Sequence, residues 1–259
     1  MTTSHGSRKR LPEDPSEENL RKQAKRLAKQ EGLQLPAAQR RLAIDYGYKT
    51  WADLMQVVAP RLVPFLPLRA LIAFPQDVYP IYIGRGMSIK AVEAAEGRNA
   101  PILLVAQRDA TVAAPSSADM YEVGTLGIMV EWLRQPDGTM KTRIEGKKRA
   151  RVTRYVFDQE FFKAEAEEIE EPSGRTAELE GLVGSVVSAF AIYAQRSTRI
   201  SPEIASSIAA IHDPSILSDK MIRHLDIQLW QQQALLESVS PVERLEKILR
   251  YLQAGNQFE

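Results

Sequence analysis

Leu66-Pro67-Leu68-Arg69, Phe74-Pro75 and Ile83-Gly84-Arg85 head a series of short apolar runs that continues through Leu104-Val105-Ala106-Gln107-Arg108-Asp109, Val123-Gly124-Thr125 and Glu145-Gly146-Lys147-Lys148-Arg149-Ala150-Arg151-Val152. From position 63 to 170 these runs are a few residues long and bounded by turn signals, which is the rhythm of strands. One helical spacing, at 88–96, interrupts it. Pro136-Asp137-Gly138 separates the runs 120–134 and 139–144. Proline presets one backbone angle there and glycine accepts a positive one, so a β-hairpin is predicted. Residues 151–157 and 162–169 extend the sheet with an imperfect period of two.

Outward from this β-rich stretch the pattern changes on both sides. Residues 1–15 are polar, with Gly6, Pro12 and Pro15, and read as a disordered tail. Ser16 can cap a helix running to Glu31, Pro36 opens a second helix, and Thr50-Trp51-Ala52-Asp53 is a capping-box start for a third. Pro60, Pro64 and Pro67 are expected to interrupt regular structure. On the C-terminal side, Glu170 to Gly174 reads as an acidic linker. Beyond it, Leu179, Leu182, Val183, Val186, Val187 and Phe190 recur at three- and four-residue steps on one helix face. Ser201-Pro202, Asp213-Pro214 and Ser240-Pro241 each place a capping side chain before a proline at the first helical position. The expected organisation is therefore a tail at 1–15, an accessory helical module at 16–60, a β-rich domain at 61–171 and a helical bundle at 172–259. The fold class is α+β.

Composition sets the outer limits. The 259 residues are 44% hydrophobic and 26% charged, with a formal net charge of +1 and no cysteine. This balance gives no global attraction to nucleic acid or membrane, and it removes disulfides, thiolate catalysis and cysteine-based zinc sites. No uninterrupted apolar run approaches the ~18 residues needed to cross a bilayer, and residues 1–19 lack the apolar core of a secretory signal. A cytoplasmic location is the expectation. No GxxxxGK[ST] loop is present to cradle a nucleotide phosphate. Ser116-Ser117 has no identifiable base beside it, and His5, His212 and His224 do not share metal-ligand spacing. No cofactor, metal or catalytic residue is predicted.

The motifs from Leu66 to Val152, in that order and with nearly uninterrupted spacing, resemble the N-terminal domain of the ATP-dependent Lon proteases, and the resemblance continues through the helical region to about Tyr251. It implies a β-rich, PUA-like Lon N-terminal domain followed by a helical bundle that helps to recognise and hold protein substrates. In the family an ATPase module and a Ser/Lys peptidase follow. Here the sequence stops at Glu259, so the expectation is a non-catalytic recognition module, an adaptor or chaperone-like holder for unfolded or partner polypeptide, with a protease or chaperone as a further partner. The module at 16–60 departs from the protease arrangement and resembles a short helical module found before various bacterial domains, which implies no activity.

Two sets of residues are candidates for contact. Polypeptide offers mainly apolar side chains and backbone groups, so the aromatic and apolar residues Phe74, Tyr79, Tyr82, Met129 and Trp132 are candidates, with Trp132 preferred beside the hairpin. Most aromatics in such a domain are core, so any one of them also has that plainer role. Lys22, Lys25, Arg26 and Lys29 lie at helical offsets that stack four positive charges on one face. The alternative function drawn from them is a regulatory protein that touches nucleic-acid phosphates; the plainer reading is a solvated helix face.

Overall fold

The computed structural model describes residues 9, 11, 17–58, 62–96, 100–157, 161–172 and 176–257. The Ser16 cap, His5, Pro60 and the Ser173-Gly174 part of the linker lie outside them, as does the expected tail apart from Lys9 and Leu11. The chain divides into two compact units, Met1–Arg61 and Leu62–Glu259.

In the first unit, α1 (Glu17–Glu31), α2 (Leu35–Asp45) and α3 (Trp51–Val58) enclose a small core of Leu20, Ala24, Leu42, Ala43 and Leu54. The capping box forms as predicted: Thr50 N–H donates to Asp53 Oδ2 at 3.0 Å, and Asp53 N–H to Thr50 Oγ1 at 3.1 Å. Lys9 N–H donates to Asp45 O at 2.9 Å and Leu11 packs on the helical core, so these two residues belong to the unit rather than to a loose tail.

The second unit holds β1 (Leu62–Leu68), β2 (Val78–Ile83), α4 (Gly86–Glu96), β3 (Ile102–Ala106), β4 (Val123–Arg134), β5 (Met140–Phe157) and β6 (Phe162–Glu168). The strand order is β2-β5-β4-β3-β1-β6, and β6 also pairs with β5. Five strands therefore close a ring, while β2 lies outside it against the first half of β5. The β1–β3 pair is parallel and the other pairs are antiparallel. Residue alternation divides the apolar side chains between two cores. Val63, Phe65, Leu103, Val105 and Phe162 share one core. Leu66, Leu68, Ile102 and Leu104 share the other with Ala91, Val92 and Ala95 of α4.

Two expectations change here. Pro64 and Pro67 do not interrupt structure but lie inside β1. Leu68 O accepts the Gln107 N–H at 2.7 Å, so the even-numbered residues of β1 turn their backbone groups toward β3. Pro64 lies before the β3 pairing starts at Phe65, and Pro67 faces the flank where β6 pairs only Leu62 to Pro64. Each missing donor thus falls where the ladder needs none. Secondly, the runs expected as separate strands at 139–144 and 151–157 are one 18-residue strand, β5. Gly146 permits its passage, since a Cβ there would stand 2.4 Å from Phe74 O. The hairpin turn is as predicted, with Gly138 at φ 83° and Asp137 Oδ1 accepting from Thr139 N–H at 2.9 Å.

The bundle consists of α5 (Ala177–Arg196), α6 (Pro202–Ala209), α7 (Pro214–Ile222), α8 (Leu229–Glu237) and α9 (Pro241–Gln257). Thr176, Ser201 and Asp213 cap the first three through side-chain oxygens. By length and composition α5 could cross a membrane. In the fold its stripe Leu179, Val186, Phe190 and Ala194 is buried in a core with Leu217, Met221, Leu245, Ile248 and Leu252. Ile72, Phe74, Ala106 and Val123 from the β-rich part enter the same core, which joins barrel and bundle.

Candidate polypeptide-binding surface

Strand pairing decides which side chains share a face, because residues directly opposite one another project to the same side of a sheet. On one side, Met129, Ile144 and Tyr79 form a cross-strand row, and Trp132, Thr142 and Ile81 form the next. On the other side, Leu133, Lys141 and Tyr82 form a row, with Ile128, Glu145 and Val78 beyond it. A register shift between Met129 and Glu131 makes room for Val130.

The five aromatic and apolar candidates separate accordingly. Trp132 is 42% exposed and Tyr82 72% exposed, on opposite faces. Met129 is half-buried against the α4 core. Phe74 and Tyr79, at 1% and 3% exposure, are core residues and are corrected as contact candidates. Phe74 fills the barrel–bundle core, with the Arg149 guanidinium 6.0 Å from its ring centre. The Tyr79 hydroxyl accepts the Phe74 N–H at 2.7 Å, and burial pushes its phenol well above the ordinary range. The structure adds Ile128, Val130 and Leu133, all exposed beside Trp132 on β4. The apolar run Ile128-Met129-Val130 with Trp132-Leu133 was the available signal, because a strand flanked by solvent on both sides needs no such content.

The resulting surface is an arm formed by β2, β4 and β5. Arg134 pairs with Glu93 of α4 at 2.6 Å and Arg143 with Glu131 at 3.3 Å, while Lys141 Nζ lies 5.4 Å from the Tyr82 ring centre. Apolar groups framed by ion pairs can exclude water from a bound chain and still remain soluble. Lys22, Lys25, Arg26 and Lys29 are exposed on α1, in the other unit.

Beneath the arm, a buried ionic cluster fixes β5 to the bundle. Arg149 donates to both Asp219 oxygens, at 2.6 and 2.9 Å, and to Glu171 Oε1 at 2.6 Å and Leu236 O at 3.0 Å. Arg244 donates to both Glu171 oxygens at 3.2 Å and to the hydroxyls of Ser218 at 3.0 Å and Ser215 at 2.7 Å. Burial works against the Glu171 carboxylate, but hydrogen bonds from Arg244 and Ser215 and the charge of Arg149 outweigh it and hold Glu171 below its ordinary range. Asp77 makes a second link, 2.5 Å from Lys220 and 3.0 Å from Arg223. These side-chain partners lie at least 22 residues apart in sequence, so no local spacing announces them.

Ser116 donates its hydroxyl to Asp119 at 2.7 Å in a 3₁₀ turn cap, which is a structural role. Among the described residues no group of three or more histidine, aspartate or glutamate side chains is placed to hold a metal ion.

Comparison with known proteins agrees with the architecture. Residues 62–254 match the family model for the ATP-dependent protease La (LON) substrate-binding domain. Lon protease 3 of Sorangium cellulosum is 42% identical over 194 residues, which is 74% of this chain and 23% of that protein. Lon protease of Escherichia coli is 36% identical over 192 residues, 74% of this chain and 24% of that protein. The chain thus spans about a quarter of the length of these curated relatives. The N-terminal domain of Mycobacterium avium complex Lon protease superposes with a TM-score of 0.63 at 22% identity, covering 74% of this chain and 98% of that one. A Lon N-terminal domain protein from Xanthomonas campestris gives 0.54 at 16% identity over 73% and 98% of the two chains. These two share the fold, and the family model begins at residue 62, after α1 to α3, so the basic face of α1 gains no support from it. Through residues 62–254, this chain belongs to the family of Lon substrate-binding domains.

Proposed function

We propose that the chain is a polypeptide-recognition protein of the cytoplasm that binds unfolded or partner chains through the β2–β4–β5 arm and itself neither cleaves them nor turns over ATP. The observation that carries this reading is the apolar group Ile128, Val130, Trp132 and Leu133, left exposed along one strand, with Tyr82 of β2 exposed in the same arm. Family membership supports the same ligand class. Held on a barrel that the bundle braces, such a surface suits an adaptor or a chaperone-like holder delivering clients to a protease or chaperone.

Titration of a fluorescent, permanently unfolded polypeptide tests it. Trp132→Ser combined with Leu133→Ser should weaken binding by about 1–3 kcal/mol, roughly 5- to 150-fold, because anchors of this kind carry most of an interface's energy. Circular dichroism should show an unchanged fold, and client and ATP should survive incubation with the protein intact. Unchanged affinity in the double variant would remove the arm from the binding surface, and turnover that survives repurification would contradict a non-catalytic role.

A further inference from the structure

A groove of about 410 Å³ lies between the outer edge of β2 and the end of β1, with Pro80, Ile81 and Tyr82 on one wall and Leu66, Leu68 and Leu71 on the other. β2 pairs only with β5, and the flank of β1 away from β3 is paired by β6 only from Leu62 to Pro64. Both walls are therefore free strand edges at this point. Pro67 and Pro80 lie on those edges and supply no N–H, so an occupant cannot add a full β-ladder and must be recognised mainly through its side chains and charge. A space of this volume holds only a few apolar side chains, which fits a chain end better than a continuous strand.

Two guanidiniums, Arg69 and Arg85, also line the groove. Arg85 is held in place by Gln107 Oε1 at 3.0 Å and precedes α4, whose first turn contains no acidic residue. Arg69 is exposed, and among the described residues neither arginine forms an ion pair with a carboxylate. Burial and the Arg69 charge both lower the Arg85 pKa from its ordinary value, as two uncompensated cations in one groove should. An apolar groove with unneutralised arginines has the chemistry of a carboxylate attached to apolar residues.

We infer that this groove binds the apolar C-terminal end of a polypeptide, with the free α-carboxylate held by Arg69 and Arg85 and the last side chains against Leu66, Leu71 and Ile81. The inference rests on the proposed polypeptide recognition and names a second, end-reading subsite beside the arm.

The test uses the full chain and a short fluorescein-labelled peptide ending in leucines, as the free acid and as the C-terminal amide, together with an amidated peptide carrying one internal aspartate. The free acid should bind roughly tenfold more tightly than either amide, a charge-assisted pair being strong enough for that difference. Arg69→Gln should abolish the preference for the acid, and Arg69→Lys should retain part of it. Equal binding of acid and amide to the unaltered protein would overturn the inference, as would equal binding of the internal-aspartate peptide. If the long unfolded client still binds in that case, the end-reading subsite fails and polypeptide recognition by the arm stands; loss of client binding as well would defeat both.

Discussion

At the scale of single residues, Arg149 does more for this fold than its setting in a run of basic residues suggests. Its neighbours Lys147 and Lys148 are surface groups paired with Glu145 and Glu168, whereas Arg149 is buried and binds Asp219 through both terminal guanidinium nitrogens. Removing one member of a buried pair leaves the other charge without compensation and costs about 3–5 kcal/mol. Asp219→Ala should therefore destabilise the chain by about that amount, since two arginines then share only Glu171. Urea unfolding measures it, and a loss below about 1 kcal/mol, the level of an exposed pair, would show that the cluster is not the main fastening. Phe74, in the loop before β2, and Tyr79, in β2, illustrate how aromatics near a turn mislead at sequence level. Both are large aromatics beside turn residues, and only the fold shows that one fills the barrel–bundle core and the other satisfies the backbone before it.

At the scale of elements, the short cluster partners join β5, α7 and α9 to Glu171, just beyond the end of β6. Because Glu171 is held below the ordinary carboxylate value of 4.5, the unfolded chain takes up its proton first on acidification. Its stabilising contribution is complete above that ordinary value and disappears as the pH falls through the lower, folded-state value. Glu171→Gln should accordingly be less stable than the parent at neutral pH, with the difference narrowing in acid. Urea titrations across that range check the sign; a difference that widens on acidification would contradict it. Elements with strong local signals were legible in the sequence: the capping box of α3, the Pro-Asp-Gly turn and the proline-started helices. α8 escaped, since its start at Gln228 is a weak cap and its glutamine run shows no apolar stripe. The prolines of β1 misled because their placement depends on which flank each neighbouring strand covers, a fact of topology rather than of composition.

At the scale of the whole molecule, family resemblance carried the architecture and the ligand class, while the ring closure by β6 and the barrel–bundle fastening had to be seen. Trp132 and Tyr82 were legible as exposed candidates only in type; the pairing register alone places them on opposite faces. The central claim is that client polypeptide lies on the β2–β4–β5 arm of a non-catalytic protein. Hydrogen–deuterium exchange of the full chain, with and without saturating unfolded client, measures this most directly. The account predicts slowed exchange at 78–83 and 126–145 on client binding, with α1 unchanged. Slowed exchange confined to α1 around Lys22, Lys25, Arg26 and Lys29, with the arm unaffected, would contradict it.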